Sequence, residues 1–227
     1  MLSTGAEDTV KKFPKVYPLA LAGCNGCDIE IIATLGPRFD QDRLGIEVVN
    51  SPKDAHILMV NGTVNRKLKK HLNGIYKQMA DPRIVVAVGS CAISNGPFRE
   101  CYNMCCRVDE VVPVSVYIPG CPPRPRAILY GLRRTLEKCP PNLAPAPLKT
   151  RSRLTRDRKI CINCGACTLV CPSKACYFVQ DKEKRRVDFN LAYCTFCGQC
   201  VEVCPVKCLK MVNEYELATS NKDELMI

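Results

Sequence analysis

Short apolar runs and helical-period stretches alternate along the first 139 residues of this chain. Residues 16–22, 46–49, 56–60, 84–88 and 111–118 are apolar runs of strand length with β-branched content, and each predicts a strand. Between them the hydrophobic period lengthens. Leu68, Leu72, Ile75, Tyr76 and Met79 are spaced to fall on one face of a helix, with Asn65 in front as a capping residue. Ile128, Leu129, Leu132 and Leu136 form a second stripe after Pro125, and it stops at Cys139-Pro140-Pro141. This alternation predicts an α/β domain, residues 1–139, built on a parallel sheet with helices on both faces.

The pattern breaks at residue 140. Residues 140–159 are proline-rich and then basic, which predicts a semi-rigid connector holding two domains within a limited range of separations. Residues 160–212 form the second domain and contain an internal repeat, in which Ile160 to Pro172 matches Tyr193 to Pro205 at an offset of 33 residues. Residues 213–227 read as a polar tail. The KDEL at 222–225 stands short of the terminus and is no retention signal.

At 227 residues, 47% of them hydrophobic, the chain can bury a sizeable core. Eighteen cysteines would suit a disulfide-stapled secreted scaffold. Residues 1–15 have no apolar signal core, however, and no stretch reaches the ~20 apolar residues needed to span a bilayer. A soluble, intracellular chain is therefore expected, its thiols kept reduced as metal ligands. The formal charge of +11 raises nucleic acid as a partner. Yet the basic residues are spread out except at 149–159, and without Trp there is little surface on which bases could stack. The basic strip reads as a solvated connector or a docking strip for an acidic partner, and nucleic acid is not expected.

Cysteine spacing changes the picture most. CINCGACTLVCP at 161–172 and CTFCGQCVEVCP at 194–205 each follow C-x2-C-x2-C-x3-C-P, the bacterial two-cluster ferredoxin pattern in which the fourth cysteine of each run ligates the other cluster. One 4Fe-4S cluster is expected on Cys161, Cys164, Cys167 and Cys204, and a second on Cys194, Cys197, Cys200 and Cys171. Gly165, Ala166 and Gly198 let backbone N–H groups approach the sulfurs. Zinc is the bland alternative for C-x2-C pairs, but two complete runs with proline argue against it.

A third set precedes them. Cys24 and Cys27 follow the first predicted strand, Cys91 another and Cys121 a third. Ligands of open parallel sheets bind at the carboxyl ends of strands, so four thiols there can converge on one cluster. Gly23, Gly26, Gly89 and Gly120 flank them, as tight turns beside a bulky core require. The alternative is ordinary buried cysteines, which placement at three strand-to-loop turns disfavours. Three clusters at about −2 each would lower the net charge from +11 to about +5.

The motifs GCNGCDIE, NGT at 61–63, VGSCAISNGPF and VYIPGCPPRP resemble the small subunit shared by energy-converting (group 4, Ech and formate-hydrogenlyase type) nickel-iron hydrogenases and respiratory complex I, over about residues 15–139. The linked ferredoxin domain and YELA at 215–218 resemble the two-cluster subunit of the same complexes. The resemblance implies a flavodoxin-like fold followed by a small α+β bacterial-type ferredoxin domain, with Cys24, Cys27, Cys91 and Cys121 as ligands of a proximal cluster. Complex I subunits carry two adjacent cysteines at the first position and hydrogenase subunits carry C-x2-C, as Cys24 and Cys27 do; this favours the hydrogenase branch. Cys105-Cys106 is a tandem pair but lies after Cys91. Arg126 departs from the family, where an acidic residue is common, and leaves the cluster ligands untouched. The implied partners are a nickel-iron large subunit, membrane ion-translocating subunits and soluble ferredoxin, with the chain docked on the cytoplasmic face of the membrane. The alternatives are a complex I-like subunit delivering electrons to a quinone, phenazine or sulfur acceptor, and a freestanding iron–sulfur carrier.

No nucleophile with a base, paired carboxylates or phosphate loop appears, so substrate chemistry is expected in a partner. Cys101, Cys105, Cys106, Cys139, Cys176 and Cys208 read as packing residues, with Cys101 and Cys105 as substitute ligands should the assignment fail. Glu30 reads as a proton relay, a cluster-tuning group or a solvated helix charge, and Arg124 and Arg126 as potential-raising or surface charges. His56 and His71 lack companion ligands and read as structural.

Overall fold

The computed structural model describes residues 14–36, 45–136, 153–181 and 184–227. In the first unit the strands are β1 (Lys15–Ala20), β2 (Glu47–Val48), β3 (Ile57–Asn61), β4 (Val64–Asn65), β5 (Ile84–Val88), β6 (Met104–Cys106) and β7 (Val116–Ile118). Five of them pair in parallel in the order β2-β1-β3-β5-β7. Counted along the chain this is 2-1-3-4-5, the flavodoxin-like order. β4 and β6 form a separate antiparallel pair.

Period-two alternation divides the core into two layers. Ile57 and Met59 of β3 face one cluster with Val86 and Val88 of β5. Leu58 and Val60 face the other with Val85 and Ala87. Helices α1 (Gly26–Thr34) and α4 (Pro125–Thr135) cover the first face through Ile31, Ile128 and Leu132. Helices α2 (Arg66–Gln78) and α3 (Gly89–Ser94) cover the second through Leu72, Ile75 and Ile93. The Asn65 side chain caps α2 as predicted, accepting from the N–H groups of Lys67 at 3.0 Å and Leu68 at 2.9 Å. The run 111–118 is a strand only from Val116. Pro113 has no N–H to give a ladder, and the preceding residues turn instead, with the Val112 N–H donating to the Val108 carbonyl at 3.0 Å.

The second unit contains β8 (Arg153–Arg156), α5 (Ala166–Val170), β9 (Cys176–Asp181), β10 (Lys184–Phe189), α6 (Gln199–Glu202) and β11 (Leu209–Val212). β9 pairs antiparallel with β10, and β8 with β11. The repeat is written in the backbone: positive φ recurs at Asn163 and Phe196, Gly165 and Gly198, Lys174 and Lys207, each pair 33 residues apart. β8 falls in the stretch expected to be connector. Its Leu154 is buried, and its Arg156 pairs with the buried Asp188 at 3.2 Å, a contact whose one-sided removal would leave a buried charge uncompensated. The end of the preceding helix stripe at Cys139-Pro140-Pro141 lies outside the described residues.

The two units pack on each other, because one hydrophobic cluster runs from Leu58, Val60 and Ile93 to Leu154, Val187 and Phe189. Across the join the Ser90 hydroxyl donates to the Cys194 carbonyl at 2.7 Å and the Ser94 hydroxyl to the Ala192 carbonyl at 2.6 Å. Residues 213–227, polar in composition, pack on both units. Tyr117 and Thr219 exchange backbone hydrogen bonds at 2.7 and 3.0 Å, Ile227 donates to Phe189 at 2.9 Å, and Tyr215, Ala218 and Leu225 are buried. Lys222 donates to the Ile93 carbonyl at 2.6 Å and pairs with Asp109 at 2.8 Å. The segment is a clasp over both units. No helix among the described residues is long and apolar enough to cross a membrane.

Candidate functional site

The crevice at the carboxyl ends of the sheet is built by loops that only particular residues permit. Behind β1, Ala22 and Thr63 exchange backbone bonds, and the Thr63 hydroxyl also donates to the Ala22 carbonyl at 3.0 Å. Gly62 between β3 and Thr63 has φ 87°, and a Cβ there would lie 2.7 Å from the Ala22 oxygen. The NGT motif thus fixes the loop that presents Cys24. Asn25 in the left-handed region opens α1 and puts Cys27 in its first turn. Cys91 sits within α3, directly behind β5, and Cys121 follows β7.

These four thiols meet. Burial, then the thiols of Cys91, Cys121 and Cys24, push Cys27 up to about 12. Burial, then Cys121 and Cys24, push Cys91 up to about 11. Cys121 is raised by burial, then by Cys24 and by Cys197 of the second unit. Three thiols raised by burial and by their neighbours, with Cys24 beside them, form a donor set that a cationic metal core relieves. The crevice beside them is lined by Glu30, Cys121, Pro122, Arg124, Thr195, Phe196 and Tyr215, so it is shared between the units. Glu30 and Arg124 both reach this wall.

Two further cavities lie in the second unit. One is lined by Cys171, Cys194, Cys197 and Cys200, the other by Cys161, Cys164, Cys167 and Cys204. In each, three thiols come from one run and the fourth from the other. The rest of the lining is largely apolar, from Leu154, Phe189 and Leu191 in the first and Val187, Val206 and Leu209 in the second. Backbone N–H groups aim at sulfur: Ala175 donates to Cys171 at 3.2 Å and Phe196 to Cys194 at 3.3 Å. The Cys176 thiol, opposed by burial and aided by backbone bonds, brings Cys171 down to about 5. Burial pushes Cys194 up to about 12. A ring of four thiols, hydrogen-bonded from the backbone and walled by apolar side chains, is a donor set suited to a thiolate-ligated iron–sulfur core. Among the described residues no group of three or more His, Cys, Asp and Glu side chains is arranged to hold a single metal ion.

The leftover residues divide. Cys101 and Cys105 are exposed and Cys106 buried, the last two with sulfurs 3.1 Å apart, and none lines these three cavities. His56 and His71 also stay outside them. Cys139 lies outside the described residues. Cys176 and Cys208, read from sequence as packing, line one of these two cavities each. Their position just behind each crossing cysteine and its proline was the available signal.

A flavodoxin-like domain with converging thiols, packed on a unit with two cysteine-lined cavities, defines an iron–sulfur protein of the α/β electron-transfer class. Residues 24–135 match the family described as NADH ubiquinone oxidoreductase, 20 Kd subunit, and residues 153–205 a 4Fe-4S dicluster domain. The chain is 43% identical over 129 residues to a probable membrane-bound hydrogenase subunit, mbhJ, of Pyrococcus furiosus, covering 57% of this chain and 77% of that protein. It is 49% identical over 118 residues to a NADH-quinone oxidoreductase subunit of Phocaeicola vulgatus, covering 52% of this chain and 59% of that one. A chain of the membrane-bound sulfane sulfur reductase, an archaeal respiratory membrane complex, superposes with a TM-score of 0.52 at 33% identity, over 60% of this chain and 75% of that chain. The protein belongs to the family of the NADH ubiquinone oxidoreductase 20 Kd subunit, joined here to a 4Fe-4S dicluster domain.

Proposed function

We propose that this chain is the electron-transfer subunit of a membrane-associated, energy-converting nickel-iron hydrogenase, linking soluble ferredoxin to a catalytic large subunit. Cys24, Cys27, Cys91 and Cys121 hold the proximal cluster, and the two cavities of the second unit hold the others with the crossed ligand sets. Bound there, 4Fe-4S clusters supply one-electron redox steps at potentials set by cluster charge, hydrogen bonds to sulfur and exposure. The observation that carries the reading is the proximity of Cys121 to Cys197, which makes three thiol sets one series. It supports an order in which the Cys194 set lies beside the crevice and the Cys161 set at the outer end.

The ends of that series suit partners. Ile29 and Ile32 of α1 are 67% and 71% exposed next to Cys27, an apolar face that a permanent subunit would cover and that a freestanding carrier would not need. Around the exposed Cys164, Ile160, Ile162 and Leu169 are exposed with Arg158 and Lys159 beside them, a surface suited to a small acidic ferredoxin. The Cys24-x2-Cys27 spacing favours the hydrogenase branch.

The second reading, a complex I-like subunit serving a quinone, phenazine or sulfur acceptor, is favoured by the similarity to the Phocaeicola vulgatus NADH-quinone oxidoreductase subunit and to a chain of the sulfane sulfur reductase. Isolating the native complex separates the two. Nickel with hydrogen-dependent dye reduction is expected; a nickel-free complex that reduces quinone or sulfur would overturn the leading reading. Iron analysis tests the sites independently, with about twelve irons per chain expected from three 4Fe-4S clusters.

A further inference from the structure

The two buried thiols that line the ferredoxin cavities without belonging to either ligand set have a chemical use there. We propose that Cys176 and Cys208 donate S–H···S hydrogen bonds to ligand sulfurs and so raise the potentials of the two ferredoxin-domain clusters, Cys208 acting on the cluster of the Cys161 set and Cys176 on that of the Cys194 set. The inference rests on the ligand sets given above.

Cys176 is 4% exposed and Cys208 5%. The Cys208 sulfur lies 3.4 Å from that of Cys204, and Cys208 lines the same cavity as Cys161, the other two both being of the outer set. The Cys176 side chain lines the inner cavity together with Cys171, Cys194, Cys197 and Cys200, next to the Ala175 N–H that donates to the Cys171 sulfur at 3.2 Å. A thiol is an ordinary weak donor. Against an anionic thiolate in a low-dielectric wall its bond becomes charge-assisted and strengthens. Reduction adds negative charge to the cluster and its sulfurs, so a donor aimed at them favours the reduced form.

The repeat supplies an internal control against a packing role. With the offset of 33 residues, Cys176 corresponds to Leu209 and Cys208 to Ala175, and both counterparts are buried. The chain fills the equivalent space with hydrocarbon in the other half. In each half, one of the two positions behind the crossing ligand is a thiol.

The test is an EPR-monitored redox titration of the full-length chain with its clusters, after iron analysis. Cys208→Ala is expected to lower the reduced-to-oxidised ratio of one ferredoxin-domain cluster about three- to tenfold at fixed potential, tenfold corresponding to 59 mV for a one-electron couple. Cys176→Ala should shift the other ferredoxin-domain cluster in the same direction and leave the sheet-domain signal where it was. Cys176→Ser and Cys208→Ser, which keep a donor, should restore most of the shift. Unmoved potentials in alanine variants of full iron content would overturn the proposal. So would a loss of about four irons in either variant, because that residue would then be a ligand. If an alanine variant does not fold, a serine variant with full iron and a potential lowered by the alanine-sized amount would also overturn it. Fewer than about eight irons in the parent chain would instead strike the ligand sets themselves.

Discussion

At Gly89 the chain leaves β5 with φ 85°, and a Cβ built there would lie 2.6 Å from the Cys27 sulfur. The position combines a backbone conformation that L side chains rarely adopt with a sulfur that must stay where it is. Gly89→Ala is therefore expected to cost the sheet-domain cluster and spare the other two, lowering iron from about twelve to about eight per chain with the ferredoxin signals intact. Ionisation gives a second prediction at this scale. In the iron-free chain Cys171 is brought down to about 5, while Cys194 in the same cavity is pushed up to about 12. At pH 7 the first lies below the solution pH and is thiolate, and the second lies above it and stays protonated. Since thiolate is the nucleophile, mass spectrometry after brief alkylation at pH 7 should find Cys171 labelled well ahead of Cys194. The gap should close as the pH is raised toward 12. Equal labelling at pH 7 would contradict the assigned hydrogen bonds.

The elements separate what local pattern can announce from what it cannot. β3, β5 and α2 were legible because strand runs buried on both faces and a capped amphipathic stripe are local signals. The two cysteine runs at 161–172 and 194–205 were legible because their spacing is local too. β8 and the final fifteen residues were not, because their reasons lie far along the chain. RLTR contains one apolar residue, Leu154, and becomes a strand by pairing with Leu209–Val212. Residues 213–227 are polar by composition, yet Tyr215, Ala218 and Leu225 are buried against clusters whose other members lie far along the chain. Cys176 and Cys208 are a different case, because their position just behind each crossing cysteine and its proline is itself local. Because the clasp joins both units, Leu225→Ala is expected to cost about 2–4 kcal/mol, as large-to-small core substitutions do. Lys222→Met should weaken the join further by leaving Asp109 without its 2.8 Å partner. Differential scanning calorimetry and limited proteolysis would check this: cleavage between the units should rise in both variants, and unchanged transitions would mean the clasp is superficial.

Taken as a whole molecule, the chain has two differently built ends, and the proposed function requires them to fail independently. The crevice end presents Ile29 and Ile32, an apolar face whose burial by a partner would contribute at ~25 cal/mol per Å². The outer end presents Arg158 and Lys159 around an apolar patch, where charge acts on encounter rate more than on affinity and is screened by salt. Ile29→Asp with Ile32→Asp should therefore abolish co-purification with the large subunit while leaving iron content and ferredoxin reduction of the chain unchanged. Arg158→Glu with Lys159→Glu should leave the complex assembled and slow electron exchange with ferredoxin several-fold at low ionic strength. That difference should shrink as salt is raised toward 1 M, where the screening length falls to about 3 Å. Stopped-flow measurement across ionic strength reads the second effect directly. A charge-reversed chain that exchanges electrons as fast as the parent at low salt would place the entry point elsewhere, at the crevice or along the β9–β10 ribbon. The order of the three thiol sets would then have to be read from the opposite end.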